Sequence, residues 1–158
     1  MFRKMRRFKQ SLSDDDVKSV LKSENRGVLS VLGDDGYPYG VPIDFYFDEN
    51  ENKIYFHCAK SGHKLDAIKA CPKASFCVYD SGYKKDGDWA YTVKSVIAFG
   101  KVALVEDKEK QYEICLKLCE KFNKGDKYVK KEMKNFSSAL LCLEFDIEHM
   151  TGKLVHEA

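Results

Sequence analysis

The sequence predicts a mainly β fold: a six-stranded antiparallel barrel with helices packed against it. Three observations carry this. Apolar and polar residues alternate over long stretches, as in 37–47 and 53–59, which is the period of half-buried strands. Short acidic or glycine-bearing turns join these runs, as antiparallel neighbours allow. Aromatic residues make up 13% of the chain, a load that suits strands and stacking surfaces. Neither G-x-G-x-x-G nor a Walker A loop occurs, which disfavours a doubly wound nucleotide-binding sheet.

The elements follow in order. Residues 1–12 form a basic arm with Arg3, Lys4, Arg6, Arg7 and Lys9. Such an arm is either a solvated or subunit-wrapping tail or a contact for RNA or acidic lipid. Ser13 caps a helix whose first turn holds Asp14, Asp15 and Asp16; it runs to about Glu24 with Val17, Val20 and Leu21 inward. A strand at 26–32 turns at Gly33-Asp34-Asp35-Gly36 into a second, 37–47, with Tyr39, Val41, Ile43, Phe45 and Phe47 on one face. A third strand, 53–59, sets Ile54, Phe56 and Cys58 opposite Tyr55, His57 and Ala59. A short helix at 61–70 stops at Cys71-Pro72. Strand 73–80 and a polar loop, 81–88, lead to a long strand, 89–106, in which Gly100 marks a bulge. Asp107 caps a helix to about Asn123, with Tyr112, Cys115, Leu116, Cys119 and Phe122 at helical spacing. A charged stretch, 124–136, precedes a last strand, 138–148, alternating Ala139, Leu141, Leu143, Phe145 and Ile147.

With 158 residues and no internal boundary, the expectation is one domain over 1–158. At 44% hydrophobic and 33% charged, the composition is that of a soluble globular protein. A net charge of +2 gives no general pull toward nucleic acid or membrane. The six cysteines form no C-x-x-C pair, so no metal site is expected. No apolar run reaches bilayer length, and the start MFRKMRRFKQ lacks a signal-peptide core. A cytoplasmic location with reduced thiols is therefore expected.

The stretch from Gly36 to Lys64 carries the functional reading. Gly40 and Pro42 interrupt a strand where a ligand can approach the backbone. Ser61, Gly62, His63 and Lys64 open a helix, whose free amides and positive dipole end suit a phosphate.

These residues resemble those of the FMN-binding split barrels related to pyridoxamine 5'-phosphate oxidase, and within them the nitroimidazole-resistance branch. The matching set is Gly36-Tyr37-Pro38, Val41-Pro42, Ile54-Tyr55-Phe56-His57, Gly62-His63-Lys64, Ser95-Val96 ahead of Gly100, and Thr151-Gly152-Lys153, in the same order. The resemblance implies a split barrel, a homodimer, and FMN at the subunit interface. It implies that Val41, Pro42, Ile43 and Asp44 lie along the flavin ring, that Ser61, His63 and Lys64 hold the phosphate, and that Ser95 reaches phosphate or ring. His57 becomes the candidate proton relay. Each has a competing structural reading: an edge strand, solvated side chains, a sheet serine, a strand histidine. Trp89 and Tyr91 either cover a partner's flavin or pack at the seam, and His149 and His156 receive no role. The arginines that the oxidase members use for a pyridoxal phosphate substrate are missing, since arginine is confined to positions 3, 6, 7 and 26.

The expected activity is FMN-dependent transfer of electrons from a nicotinamide donor to a small organic acceptor such as a nitroaromatic. The alternatives are a haem-binding or haem-degrading barrel, a flavin carrier without turnover, and an RNA-binding barrel, the last opposed by the near-neutral charge.

Overall fold

The computed structural model describes residues 1–122, 127–129, 131, 134 and 140–156. Helix α1 spans Asp14–Ser23; the Ser13 hydroxyl accepts a hydrogen bond from the Asp16 amide at 3.2 Å, and Val17, Val20 and Leu21 are buried. Strand β1 is Arg26–Leu32, β2 Pro38–Asp44, β3 Tyr46–Asp48 and β4 Lys53–Ala59. Helix α2 is His63–Ala70, then come β5, Lys73–Tyr79, and β6, Val93–Leu104. Helix α3 is Lys108–Lys121, with Asp107 accepting from the Glu109 and Lys110 amides, and β7 is Leu140–Val155.

The strands form one antiparallel sheet in the order β2-β1-β5-β6-β7-β4-β3. Seven strands stand where six were expected, because the run 37–47 breaks at Phe45. On one side of that break, β2 occupies one edge of the sheet; on the other, β3 occupies the opposite edge. A single residue bridges the two edges, so the sheet must curl until they nearly meet. The result is the half-closed barrel that the split-barrel expectation describes. Phe45 itself is fully buried at the crossing.

The concave side holds the main core, which includes Leu21, Leu29, Ile43, Phe45, Phe56, Phe76, Val96 and Phe145. Phe45 and Phe56 both meet Phe76 edge-on, at 5.0 and 5.1 Å between ring centres. Helix α3 lies on the other face of β4 and β7 and closes a second, smaller cluster of Tyr55, Val105, Ile114, Cys115, Leu118 and Cys142. Its buried face is therefore Gln111, Ile114, Cys115 and Leu118, while Tyr112, expected inward, is 48% exposed. Gln111 turns inward because its amide donates to the Val105 carbonyl.

Other boundaries differ from expectation. Trp89 to Thr92 precede β6, and β7 continues through Thr151-Gly152-Lys153 to Val155. The Gly100 irregularity falls where expected, with the β6–β7 register shifting between Phe99 and Gly100. A side chain there would meet the Asp146 carbonyl oxygen at 2.0 Å. Asn123, Ser138, Ala139 and most of 124–136 lie outside the described residues. The basic arm runs back along its own chain: the Leu12 amide donates to the Gly152 carbonyl, and Phe2 stacks on His149 at 4.7 Å.

Candidate functional site

The β1–β2 hairpin pairs Arg26 with Asp44, Val28 with Pro42 and Leu29 with Val41. A proline fits a ladder only where its nitrogen faces away from the neighbouring strand. Pro38 and Pro42 therefore turn the even-numbered backbone groups of β2 outward, along an edge that has no ladder partner among the described residues. Along that edge Gly40 and Asp44 supply amide donors, and 38, 40, 42 and 44 supply carbonyl acceptors. The two prolines also blunt the edge against further strand pairing.

Beside this edge lies a shallow hollow of about 340 Å³, lined by Arg26, Pro42, Ile43, Asp44 and His57. Three sequence-expected residues of β2 thus meet His57 of β4 across the split of the barrel. Val41 is half-buried one residue away. Arg26 was not singled out in sequence, yet its Nε donates to the Asp44 carboxylate at 2.7 Å and forms one wall. Counting outward from the Asp34–Gly36 turn pairs these two positions, so hairpin register was the signal available.

His57 projects from the exposed face of β4, but enough protein surrounds its ring that burial is the first cause lowering its pKa. The Asp44 carboxylate opposes that shift and the Lys64 ammonium adds to it. The ring is consequently neutral at neutral pH, with one nitrogen able to accept and the other to donate. Lys64 lies near enough to act on both His57 and Cys58. Among the described residues Lys64 forms no ion pair or hydrogen bond, which leaves a half-buried cation uncommitted in the second residue of α2.

The rest of the expected phosphate group is less convergent. Gly62 is the N-cap of α2 with φ +132°, and its carbonyl accepts from the Leu65 and Asp66 amides. Ser61 is exposed just before it. His63 turns toward the hairpin: it stacks on Tyr39 at 4.2 Å, and its Nε2 is 3.5 Å from an Asp34 carboxylate oxygen. Ser95 does not line the hollow. It pairs with Tyr79 and Lys153, donates to the Lys153 carbonyl at 3.4 Å, and sits two strands from Arg26, about 10 Å along the sheet. It shares the outward face of β6 with Ile97 and Phe99, 41% and 39% exposed. Trp89 and Tyr91, at 73% and 58%, lie in the loop that enters β6. A larger cavity, about 640 Å³, lies elsewhere, between the basic arm, α1 and β7. No group of three or more metal-ligating side chains occurs among the described residues, and no helix among them is long and apolar enough to cross a membrane.

Residues 13–154 match the family model described as pyridoxamine 5'-phosphate oxidase. No curated protein matches the chain. Among solved structures, it is similar to a candidate 5-nitroimidazole antibiotic resistance protein from Bacteroides thetaiotaomicron, with TM-score 0.76 and 18% identity over 91% of this chain and 86% of that one. A FAD-binding protein from Mesorhizobium loti matches with TM-score 0.66 and 20% identity, covering 94% and 97%. A FAD- and haem-binding protein from Mycobacterium smegmatis matches with TM-score 0.71 and 19% identity, covering 94% and 74%.

Proposed function

The chain belongs to the pyridoxamine 5'-phosphate oxidase family, and from that premise we propose that it is an FMN-dependent oxidoreductase working as a homodimer. It takes electrons from a nicotinamide donor and passes them to a small organic acceptor of the nitroaromatic class. The observation that carries this reading is the meeting of two separate elements at one hollow, the open β2 edge at Pro42, Ile43 and Asp44 and His57 of β4, with the uncommitted Lys64 at the start of α2 near enough to act on the His57 ring.

The residues fit the group. A flavin ring needs alternating donors and acceptors along its polar edge, which the backbone of Gly40, Pro42 and Asp44 offers. Its phosphate needs a cation and free amides, which Lys64 and the first turn of α2 offer. The hollow of about 340 Å³ opens to one side as a surface depression, and in the proposed dimer a second copy supplies the wall that encloses the ligand. The outward face bearing Tyr79, Ile97 and Phe99, with Trp89 and Tyr91 at its margin, is the apolar surface for that copy.

Bound FMN supplies the hydride and electron transfer that no side chain here can perform. The chain's own part is positional. The β2 edge orients the ring, Lys64 anchors the phosphate, and the Arg26–Asp44 pair fixes the carboxylate beside His57. His57, neutral and flanked by Asp44, holds or yields a proton at its ring nitrogen as the acceptor is reduced.

The Mycobacterium smegmatis structure, named for both FAD and haem, favours a second reading in which His57 ligates haem iron through its neutral imidazole. One experiment separates the two. The absorption spectrum of the purified protein, with identification of the ligand released by heat, should show flavin bands and FMN. A Soret band transfers the site to haem. A colourless protein that also refuses added FMN overturns the flavin reading.

A further inference from the structure

Cys115 lies on the buried face of α3, and Cys142 lies on β7 beneath that helix. Their sulfurs are 3.6 Å apart and both residues are buried. A disulfide bond is about 2.05 Å long, so the sulfurs need to close by only roughly 1.5 Å, within reach of side-chain rotation. They belong to the small cluster under α3 and not to the main core. A thin outer layer of this kind opens locally at less cost than the barrel interior, which admits small solutes.

The two sulfurs are chemically unequal. The Cys115 thiol donates toward Cys142, and with Lys108 nearby this holds the Cys142 thiol below its usual range despite burial. The same contact pushes the Cys115 thiol up. When protonated, Cys142 donates instead to the Gln111 carbonyl at 3.7 Å.

We propose that Cys115 and Cys142 are a redox-active thiol pair that a hydroperoxide converts into a disulfide tying α3 to β7. The Cys142 thiolate attacks one peroxide oxygen; the O–O bond breaks, hydroxide leaves and is protonated, and Cys142 becomes a sulfenic acid. The Cys115 sulfur gives up its proton and attacks the Cys142 sulfur; the S–O bond breaks and water leaves. Two thiols have lost two electrons, and hydrogen peroxide has become two waters. Cys142 is the ladder partner of His57 across β4 and β7, so the new bond forms one strand away from a residue that lines the hollow. The pair stands on its own geometry and does not require a bound flavin.

The test is thiol mapping of the full chain after brief exposure to hydrogen peroxide, followed by alkylation in denaturant. Trypsin cuts after Lys117 and so places Cys115 and Cys119 in different peptides. The expected result is a dithiothreitol-sensitive peptide joining Cys115 to Cys142, with the other four cysteines alkylated. Cys119→Ser should keep that link and Cys115→Ser should abolish it. The same oxidant on urea-unfolded chain should give mixed pairings, which shows that the link reports the folded arrangement. Alkylation of all six cysteines in the oxidised folded protein overturns the proposal, as does a link made instead through Cys58 or Cys119. If Cys115→Ser does not fold, the wild-type map decides alone.

Discussion

At the scale of single residues, the molecule separates charges that are spent from charges that are available. Arg26 is engaged with Asp44, Lys94 with Asp16 at 2.7 Å, and Lys53 with Glu144 at 3.3 Å. Lys64 has no such partner among the described residues and stands at a helix N-terminus, where a cation is electrostatically unwelcome unless an anion joins it. Under the proposed function that anion is the FMN phosphate. Lys64→Ala should then weaken FMN binding by about 1–3 kcal/mol, the scale of a charge-assisted hydrogen bond, while leaving the fold intact. Fluorescence titration with FMN reads this directly, and an unchanged affinity removes Lys64 from the phosphate site. Gly62-His63-Lys64 was visible in the sequence as a motif. The turning of His63 away onto Tyr39 was not, because it depends on the hairpin brought against it.

At the scale of elements, α3 is joined to the barrel by a half-buried cation. The Lys121 ammonium donates to the carbonyls of Leu21 at 3.4 Å, Glu24 at 2.6 Å and Phe45 at 3.0 Å, and lies 3.8 Å from the centre of the Phe45 ring. It thereby caps the C-terminal end of α1, whose last carbonyls have no helical partner, and fixes the crossing from β2 to β3. Burial pushes its pKa down to about 8, against the opposing pull of the Glu24 and Asp44 carboxylates. An unfolded lysine titrates near 10.4. Between these values the unfolded chain binds more protons than the folded one, so this group makes stability rise with pH from about 8 to about 10.4. Lys121→Met should remove that rise and cost about 1–3 kcal/mol at neutral pH, because the carbonyls lose their donor. Urea unfolding at several pH values tests both parts; an unaltered pH dependence would show that Lys121 titrates normally in the folded state.

At the scale of the whole molecule, the curl of the sheet has two consequences. It brings β2 close to β4 at the hollow, and it turns the opposite face of β5 and β6 outward with Tyr79, Ile97 and Phe99 exposed. An apolar sheet face of this kind is a surface for association, and the proposed dimer uses it. Phe99→Asp should shift the protein toward monomer in analytical ultracentrifugation and lower FMN affinity together, since the second wall of the site is lost with the partner. A monomer that still binds FMN as tightly would show that the site is complete within one chain.

Much of the architecture was legible in the residues because alternation and turn chemistry are local. Strands 26–32 and 53–59 have the bounds that their patterning and turns imply, and the Ser13 and Asp107 caps act where they were expected. The order of the site motifs along the chain pointed to the family for the same reason: each motif is a short piece of backbone chemistry. Other features depend on residues far apart in sequence. No local pattern distinguishes the break at Phe45 from a continuous strand; the break exists because the curled sheet needs its two edges joined there. Helical spacing puts Cys115 inward, as found, but also Tyr112, because the apolar residues of α3 encircle the helix, and only the contact with β4 and β7 selects Ile114 and Leu118 over Tyr112. Arg26 enters the site through hairpin register, and Cys142 meets Cys115 through the docking of α3. Local patterning alone sets most of the strands, the helix caps and the family. The tertiary structure decided which side chains meet, because burial and electrostatic coupling are properties of neighbours that the chain supplies only once it has curled.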